Sequence, residues 1–241
     1  MKKAQQRQKL GWRFRWAASP GFGMVELLVS VSIIAVLAAL LVPGIQSAIR
    51  KAKTAQCLGK MRSLGQGIQL YTQENAEFPR SLHSAAGAGK QPWAKAILPY
   101  LGYNATPSNS EWATIFEKLY RCPADPKKDP SIYSYALNVF YELTPDGDDY
   151  TGSPQTWRKP VNVERGSKTI LLAEPKPVYY ADHIMCHLWT GAAGASNAVD
   201  AKRHDGKANF MFVDGHIETL PISATFDTTK QINLWNPSLV K

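Results

Sequence analysis

Gly21-Phe22-Gly23-Met24-Val25-Glu26 opens onto Leu27–Val42, sixteen residues in which Ser30 and Ser32 are the most polar side chains. One acid therefore heads a run that meets no further charge until Arg50. A carboxylate at the middle of a membrane span costs about 2.5–3.5 kcal/mol on insertion scales, and less near its end. An acid kept there points to a use beyond anchoring. The apolar stretch runs about twenty residues, roughly 30 Å as helix, which is enough to cross a bilayer. Upstream, residues 1–20 carry Lys2, Lys3, Arg7, Lys9, Arg13 and Arg15 and no acid. Such a segment stays on the cytoplasmic side while the rest is exported. An ordinary secretory signal has a shorter apolar core with a small-residue cleavage site after it. Here the small-residue junction, Gly21, lies before the run.

A basic leader ending in Gly21, then Phe22, then Glu26 at the fifth position beyond the junction, resembles the class III signal of type IV pilins and type II secretion pseudopilins. Pro43 falls where that family commonly has a helix-bending proline. Gly23 and Met24 depart from the family's usual Thr and Leu. The resemblance implies that prepilin peptidase removes residues 1–21, cutting between Gly21 and Phe22, and that Phe22 is then N-methylated. It implies an inner-membrane subunit of a bacterium, N-terminus cytoplasmic and head periplasmic, that enters a periplasmic or extracellular filament. There Glu26 pairs with the Phe22 amine of a neighbouring copy, and Pro43 shapes the stem for assembly.

Beyond the apolar run, Ile45, Ile49, Ala52, Leu58, Met61, Leu64, Ile68 and Tyr71 recur at helical spacings, with Arg50, Lys51, Lys53, Lys60 and Arg62 mainly off that stripe. The expectation is one helix over 22–75, about 80 Å at ~1.5 Å per residue: membrane-spanning over 22–45, then amphipathic. Gly59, Gly65 and Gly67 weaken it by about 1 kcal/mol each against Ala, so packing of the stripe must compensate. Phe78-Pro79 ends it, and 76–241 forms the globular head.

Within the head, 81–89 reads as a Gly- and Ser-containing loop, and 93–101 and 112–120 as short helices. Residues 123–166 read as mostly loops, with a strand near 134–140. Lys168–Ala173 is a buried strand, and Ala208–Val213 and His216–Leu220 flank Asp214-Gly215, a two-residue type I′ hairpin signal. The fold class is α+β: a long N-terminal helix packed on a head with an antiparallel sheet, a pilin-like fold.

His204, nine residues and Asp214-Gly215 match the H-X9-DG motif of a bacterial group of prepilin-signal proteins resembling major pseudopilins. Phe78-Pro79, Leu98-Pro99-Tyr100, Tyr120-Arg121-Cys122-Pro123 and 169–174 agree with that group, as does 208–216. The group assigns no chemistry to His204 or Asp214. A structural reading suffices for both: Asp214-Gly215 supplies the positive φ values of a tight turn, and His204, just before the strand, caps or cross-links loop backbone.

The chain has three cysteines, Cys57, Cys122 and Cys186. In an exported protein two of them should oxidise. The resemblance favours Cys57 with Cys122, which lie at family-like positions; two separate reduced thiols are the alternative. His183-Ile184-Met185-Cys186-His187 holds three soft-metal ligands, and His183 and His187 share a face if helical, but no second pair completes a tetrahedral zinc set. Calcium in a structural loop is the one cofactor the resemblance raises, with Asp146-Gly147-Asp148-Asp149, or Asp200 with Asp205, as oxygen donors. Neither fits the twelve-residue pattern, and a solvated acidic turn is the simpler reading. No cofactor is otherwise expected.

The formal charge of +9 is largely the leader: six of 28 basic residues lie there, leaving 22 against 19 acids. Nucleic acid is therefore not an expected partner. Expected partners are prepilin peptidase, copies of the chain and other pseudopilins, and inner-membrane lipid. There is no G-x-S-x-G, H-E-x-x-H or phosphate-cradling loop, so the chain reads as a structural subunit rather than an enzyme. The competing class is a membrane-anchored periplasmic metal-binding or hydrolytic protein, resting on His183, Cys186, His187 and His204.

Overall fold

A computed structural model describes residues 23–126, 129, 131–144, 147–148, 157–176 and 181–240. Helix α1 spans Met24–Asn75 and runs through Pro43. The chain divides into two compact units, residues through Ser47 and from Ala48 onward. In the first unit, the described residues are helix whose apolar side chains are exposed throughout, Leu40 at 73% for example. Among the described residues, α1 is the one helix long and apolar enough to cross a membrane.

The second unit begins with the rest of α1. Its buried residues are Cys57, Met61, Leu64, Gly65, Gly67 and Ile68, a stripe stepping by three and four. Helices α2 (Leu82–Gly87), α3 (Trp93–Ala96) and α4 (Asn109–Leu119) follow, and α5 (Ala192–Ala198) comes late. The strands are β1 (Ala136–Asn138), β2 (Leu143–Thr144), β3 (Gly147–Asp148), β4 (Ile170–Ala173), β5 (His183–Ile184), β6 (Ala208–Phe212), β7 (Ile217–Leu220), β8 (Phe226–Asp227) and β9 (Ile232–Asn233). Five of them form one sheet in the order β5-β1-β4-β6-β7, while β2-β3 and β8-β9 are separate two-stranded pairs.

The class is α+β, a long N-terminal helix packed with a sheet, as expected of a pilin-like fold. Three pairings of the five-stranded sheet are antiparallel, as expected; β1 and β5 pair in parallel, Leu137 opposite His183. The sheet is therefore mixed. Both faces are covered, so β4 and β6 are buried at every position. On one face Leu172 and Met211 meet the α1 stripe together with Trp93, Ile97, Phe116 and Tyr120. On the other, Ile170, Phe210 and Phe212 pack with Phe226, Trp235 and the small residues of α5. The alternation of Phe210, Met211 and Phe212 between the two cores is the two-residue period of a strand.

Several local expectations need correction. Residues 81–89 are not simply loop: Ser81 caps α2, its Oγ accepting from the Ser84 N–H at 3.4 Å. The expected helix over 93–101 is broken, α3 giving way to a 3₁₀ turn at Pro99–Leu101, because proline lacks the N–H that would continue α3. The helix placed at 112–120 starts earlier. Ser108 and Glu111 form a reciprocal capping box, which satisfies donors that a start at Trp112 would orphan.

Candidate functional site

In the stem, Glu26 lies in the first turn of α1 and its Oε2 accepts the Gly23 N–H at 2.8 Å. A carboxylate there satisfies an orphan donor and meets the positive end of the helix dipole. Ser30 and Ser32 donate to the carbonyls of Glu26 and Leu28, both at 2.7 Å, which hides the hydroxyls inside the helix. Glu26 is thus the one charged group on the described stem before Arg50. Gly21 and Phe22 lie outside the described residues, and Pro43 sits within the helix.

In the head, His204 and Asp214-Gly215 stand at opposite ends of β6, one strand length apart. His204 is bridged to Lys207 through both backbone hydrogen bonds, at 3.1 and 3.2 Å. The residues between, Asp205 and Gly206, have φ of +52° and +83°, as a type I′ turn requires. The turn at Asp214-Gly215 differs from the expected two-residue one. Phe212 pairs with His216 and its carbonyl accepts the Gly215 N–H at 2.9 Å. The loop is therefore three residues, Val213 to Gly215, and only Gly215 has positive φ, +90°. That is a type I turn closed by a glycine bulge.

The His204 side chain does not cap backbone. Its Nδ1 lies 3.0 Å from Thr54 Oγ1 on α1, and its Nε2 lies 2.9 Å from Glu174 Oε1. Thr54 Oγ1 also lies 3.1 Å from the Arg50 carbonyl, so its one hydroxyl hydrogen serves one of these two neighbours. Glu174 also accepts from the Asn209 N–H at 2.9 Å and from Asn209 Nδ2 at 3.2 Å, and Asn209 Oδ1 accepts from Thr219 at 2.7 Å. The result is a continuous polar chain from α1 through Glu174, beside the end of β4, to β6 and β7. Buried polar groups satisfied this completely specify one packing.

Beside this chain, Cys57 of α1 and Cys122 form a disulfide with Cα atoms 5.1 Å apart. Cys122 Sγ lies 3.9 Å from His204 Nε2. Arg203, next in sequence, is fully enclosed: its guanidinium meets Asp125 at 3.2 Å and Asp200 at 3.0 Å and donates to the Ser134 and Pro175 carbonyls.

The His183/Cys186/His187 cluster is not assembled as a helical face. His183 lies on β5, its Nδ1 2.8 Å from Asp182, whereas Cys186 begins a 3₁₀ turn and sets its thiol against Asn138 Oδ1 at 2.9 Å. Burial pushes the Cys186 thiol far above its ordinary range. Asp200 faces Arg203, and Asp205 faces Arg50 at 3.6 Å. Asp146 and Asp149 lie outside the described residues. Sequence reasoning does not reach Thr54, Glu174 and Asn209 as a site; Glu174, an acid directly after the fully apolar β4, is the one sequence signal.

No protein-family model matches the chain, and no solved structure matches it. The chain is similar to the type II secretion system core protein G of Pseudomonas aeruginosa, with 27% identity over 113 residues, 47% of this chain and 71% of that protein.

Proposed function

We propose that the chain is a structural subunit of a type II secretion pseudopilus or a related type IV pilus-like filament, cut between Gly21 and Phe22 by prepilin peptidase and held in the inner membrane with its head periplasmic. The observation that carries the reading is the stem: apolar on all sides, exposed along its length, and headed by one acid in its first turn. A surface of that kind is covered either by lipid or by other stems. The similarity to a secretion core protein favours stems that move from the first to the second, joining copies of the chain and other pseudopilins.

Glu26 then has a partner. After cleavage the Phe22 amine of a neighbouring copy is a free cation. Two opposite unit charges about 4 Å apart attract by about 4 kcal/mol at an effective dielectric of 20. An unpaired carboxylate in a stem bundle is correspondingly unfavourable, so the pair sets the register between copies. The test is Glu26→Leu in cells carrying the assembly machinery. The variant should be cleaved, by intact mass, and recovered from membranes, yet be missing from sheared filaments. Normal filament yield would refute the pairing, and a mature chain retaining residues 1–21 would refute the processing.

A further inference from the structure

Four metal-ligating side chains converge at the disulfide. The sulfurs of Cys57 and Cys122, a carboxylate oxygen of Glu174 and a ring nitrogen of His204 all lie within 4.8 Å of one another, and all four residues are buried. In the oxidised chain the two sulfurs are bonded to each other and no thiolate is available. We infer that the reduced chain binds one zinc ion through Cys57, Cys122, Glu174 and His204, and that zinc and the disulfide are alternative closures of the same cross-link. This does not rest on the filament reading; it needs only the unit from Ala48 onward.

The geometry requires little movement. Tetrahedral zinc with Zn–S of about 2.3 Å and Zn–N or Zn–O of about 2.0–2.2 Å has ligand-to-ligand edges of about 3.4–3.8 Å. The His204 Nε2 to Cys122 Sγ distance of 3.9 Å and the Nε2 to Glu174 Oε1 distance of 2.9 Å each lie within about half an ångström of that range. The large change is the parting of the sulfurs, which reduction itself permits. The outer contacts a ligating histidine needs are already built. Nε2 is the ring nitrogen that faces Cys122 and Glu174; with a metal on it the ring hydrogen sits on Nδ1, 3.0 Å from Thr54 Oγ1, and Asn209 holds Glu174 from both its backbone and side chain. Partners of this kind orient first ligands and tune affinity. A cleft of about 200 Å³ lined by Arg50, Lys53, Thr54, Arg203, His204 and Asp205 lies beside His204.

The chemistry balances. Binding displaces the two thiol protons. Oxidation by an exogenous disulfide then consumes two protons: the zinc dithiolate and the oxidant become the protein disulfide, two thiols and free zinc. Two electrons pass from the protein sulfurs to the oxidant, and the metal keeps its charge. The site would thus hold α1 to the segment after α4 before oxidation, and surrender its ion when the covalent bond forms.

The experiment compares one preparation of the full chain in detergent in two redox states. One portion is reduced with a phosphine and the other left oxidised; both are mixed with zinc chloride, desalted and analysed for metal. The reduced chain should retain one zinc per chain and the oxidised chain none. Iodoacetamide should label Cys57 and Cys122 in the reduced metal-free chain and neither in the zinc-loaded one. Cobalt in place of zinc should give a thiolate-to-metal absorption band that a disulfide oxidant abolishes. Glu174→Gln and His204→Gln should each weaken retention by at least about ten-fold. Equal zinc in the two redox states, or zinc retained while both cysteines stay open to alkylation, would overturn the proposal. Because the redox comparison uses the unsubstituted chain, it decides even if a variant fails to fold.

Discussion

Gly65 of α1 stands directly against Met211 of β6, so closely that a β-carbon at position 65 would overlap the methionine sulfur. The Met211 side chain fills the space that a side chain at position 65 would occupy, so any larger residue must displace it. Gly65→Ala should cost about 1–3 kcal/mol through overpacking. Gly59, exposed on the same helix, has nothing within 4 Å of a built β-carbon. Gly59→Ala should therefore stabilise the chain by about 1 kcal/mol through helix propensity. Denaturant midpoints of the two variants should move in opposite directions. A rise for both would mean that the helix does not contact β6 in this way.

The Cys57–Cys122 bond closes a loop with a sequence separation of 65. In the chain-entropy account such a closure is worth about 4 kcal/mol. Replacing both cysteines with serine should lower stability by about that amount, read from urea unfolding under non-reducing conditions. A change below about 1 kcal/mol would imply an unfolded state that already holds these segments together.

Arg203, its side chain enclosed, meets two carboxylates, Asp125 and Asp200. Arg203→Met keeps much of the volume but removes the guanidinium from both carboxylates, and breaking a buried pair from one side costs about 3–5 kcal/mol. Adding Asp125→Asn should recover part of the loss. Calorimetric melting of the single and double variants tests this, and strict additivity would exclude the coupling.

Glu142 gives the head a pH dependence. Its carboxyl is held above its ordinary range chiefly by burial, against hydrogen bonds from Ser81 N–H and Oγ at 2.5 and 2.6 Å that favour the ionised form. A folded pKa above the unfolded one means that the folded state binds the proton more tightly. Its contribution is therefore full below about 4.5 and declines as pH rises through the folded value. Glu142→Gln should remove this slope, so the difference in melting temperature between variant and parent should shift in the variant's favour from acid to neutral pH. A constant difference would contradict the assignment.

What was readable beforehand follows the range of each interaction. The apolar stem, the stripe ending Met61-x-x-Leu64-x-x-x-Ile68 and the Ile170-Leu171-Leu172-Ala173 strand are local patterns with one period each, and they emerge as such. The hairpin after β6 was legible as well, but its turn type was not. Three Asp-Gly pairs occur in the chain, and it is Asp205-Gly206, not Asp214-Gly215, that has positive φ at both residues. Local chemistry is the same in these cases; flanking strand register decides. The parallel pairing of β5 with β1 joins residues some 46 apart through two positions, Leu137 with His183 and Asn138 with Ile184, too short to leave a pattern. The His204 site needs Thr54 and Cys57 of α1, Cys122 and Glu174 brought from three distant segments, and no spacing in the chain encodes their meeting.

The cross-link from α1 to Cys122 also has a mechanical consequence. If tension is applied to the chain, residues between positions 57 and 122 cannot be drawn out while the sulfurs stay joined. At about 3.5 Å per extended residue, the 65-residue separation withholds roughly 230 Å of contour. Single-molecule pulling should show that much extra extension when a reductant is added, making the bond a ratchet stop against peeling of the helix under strain.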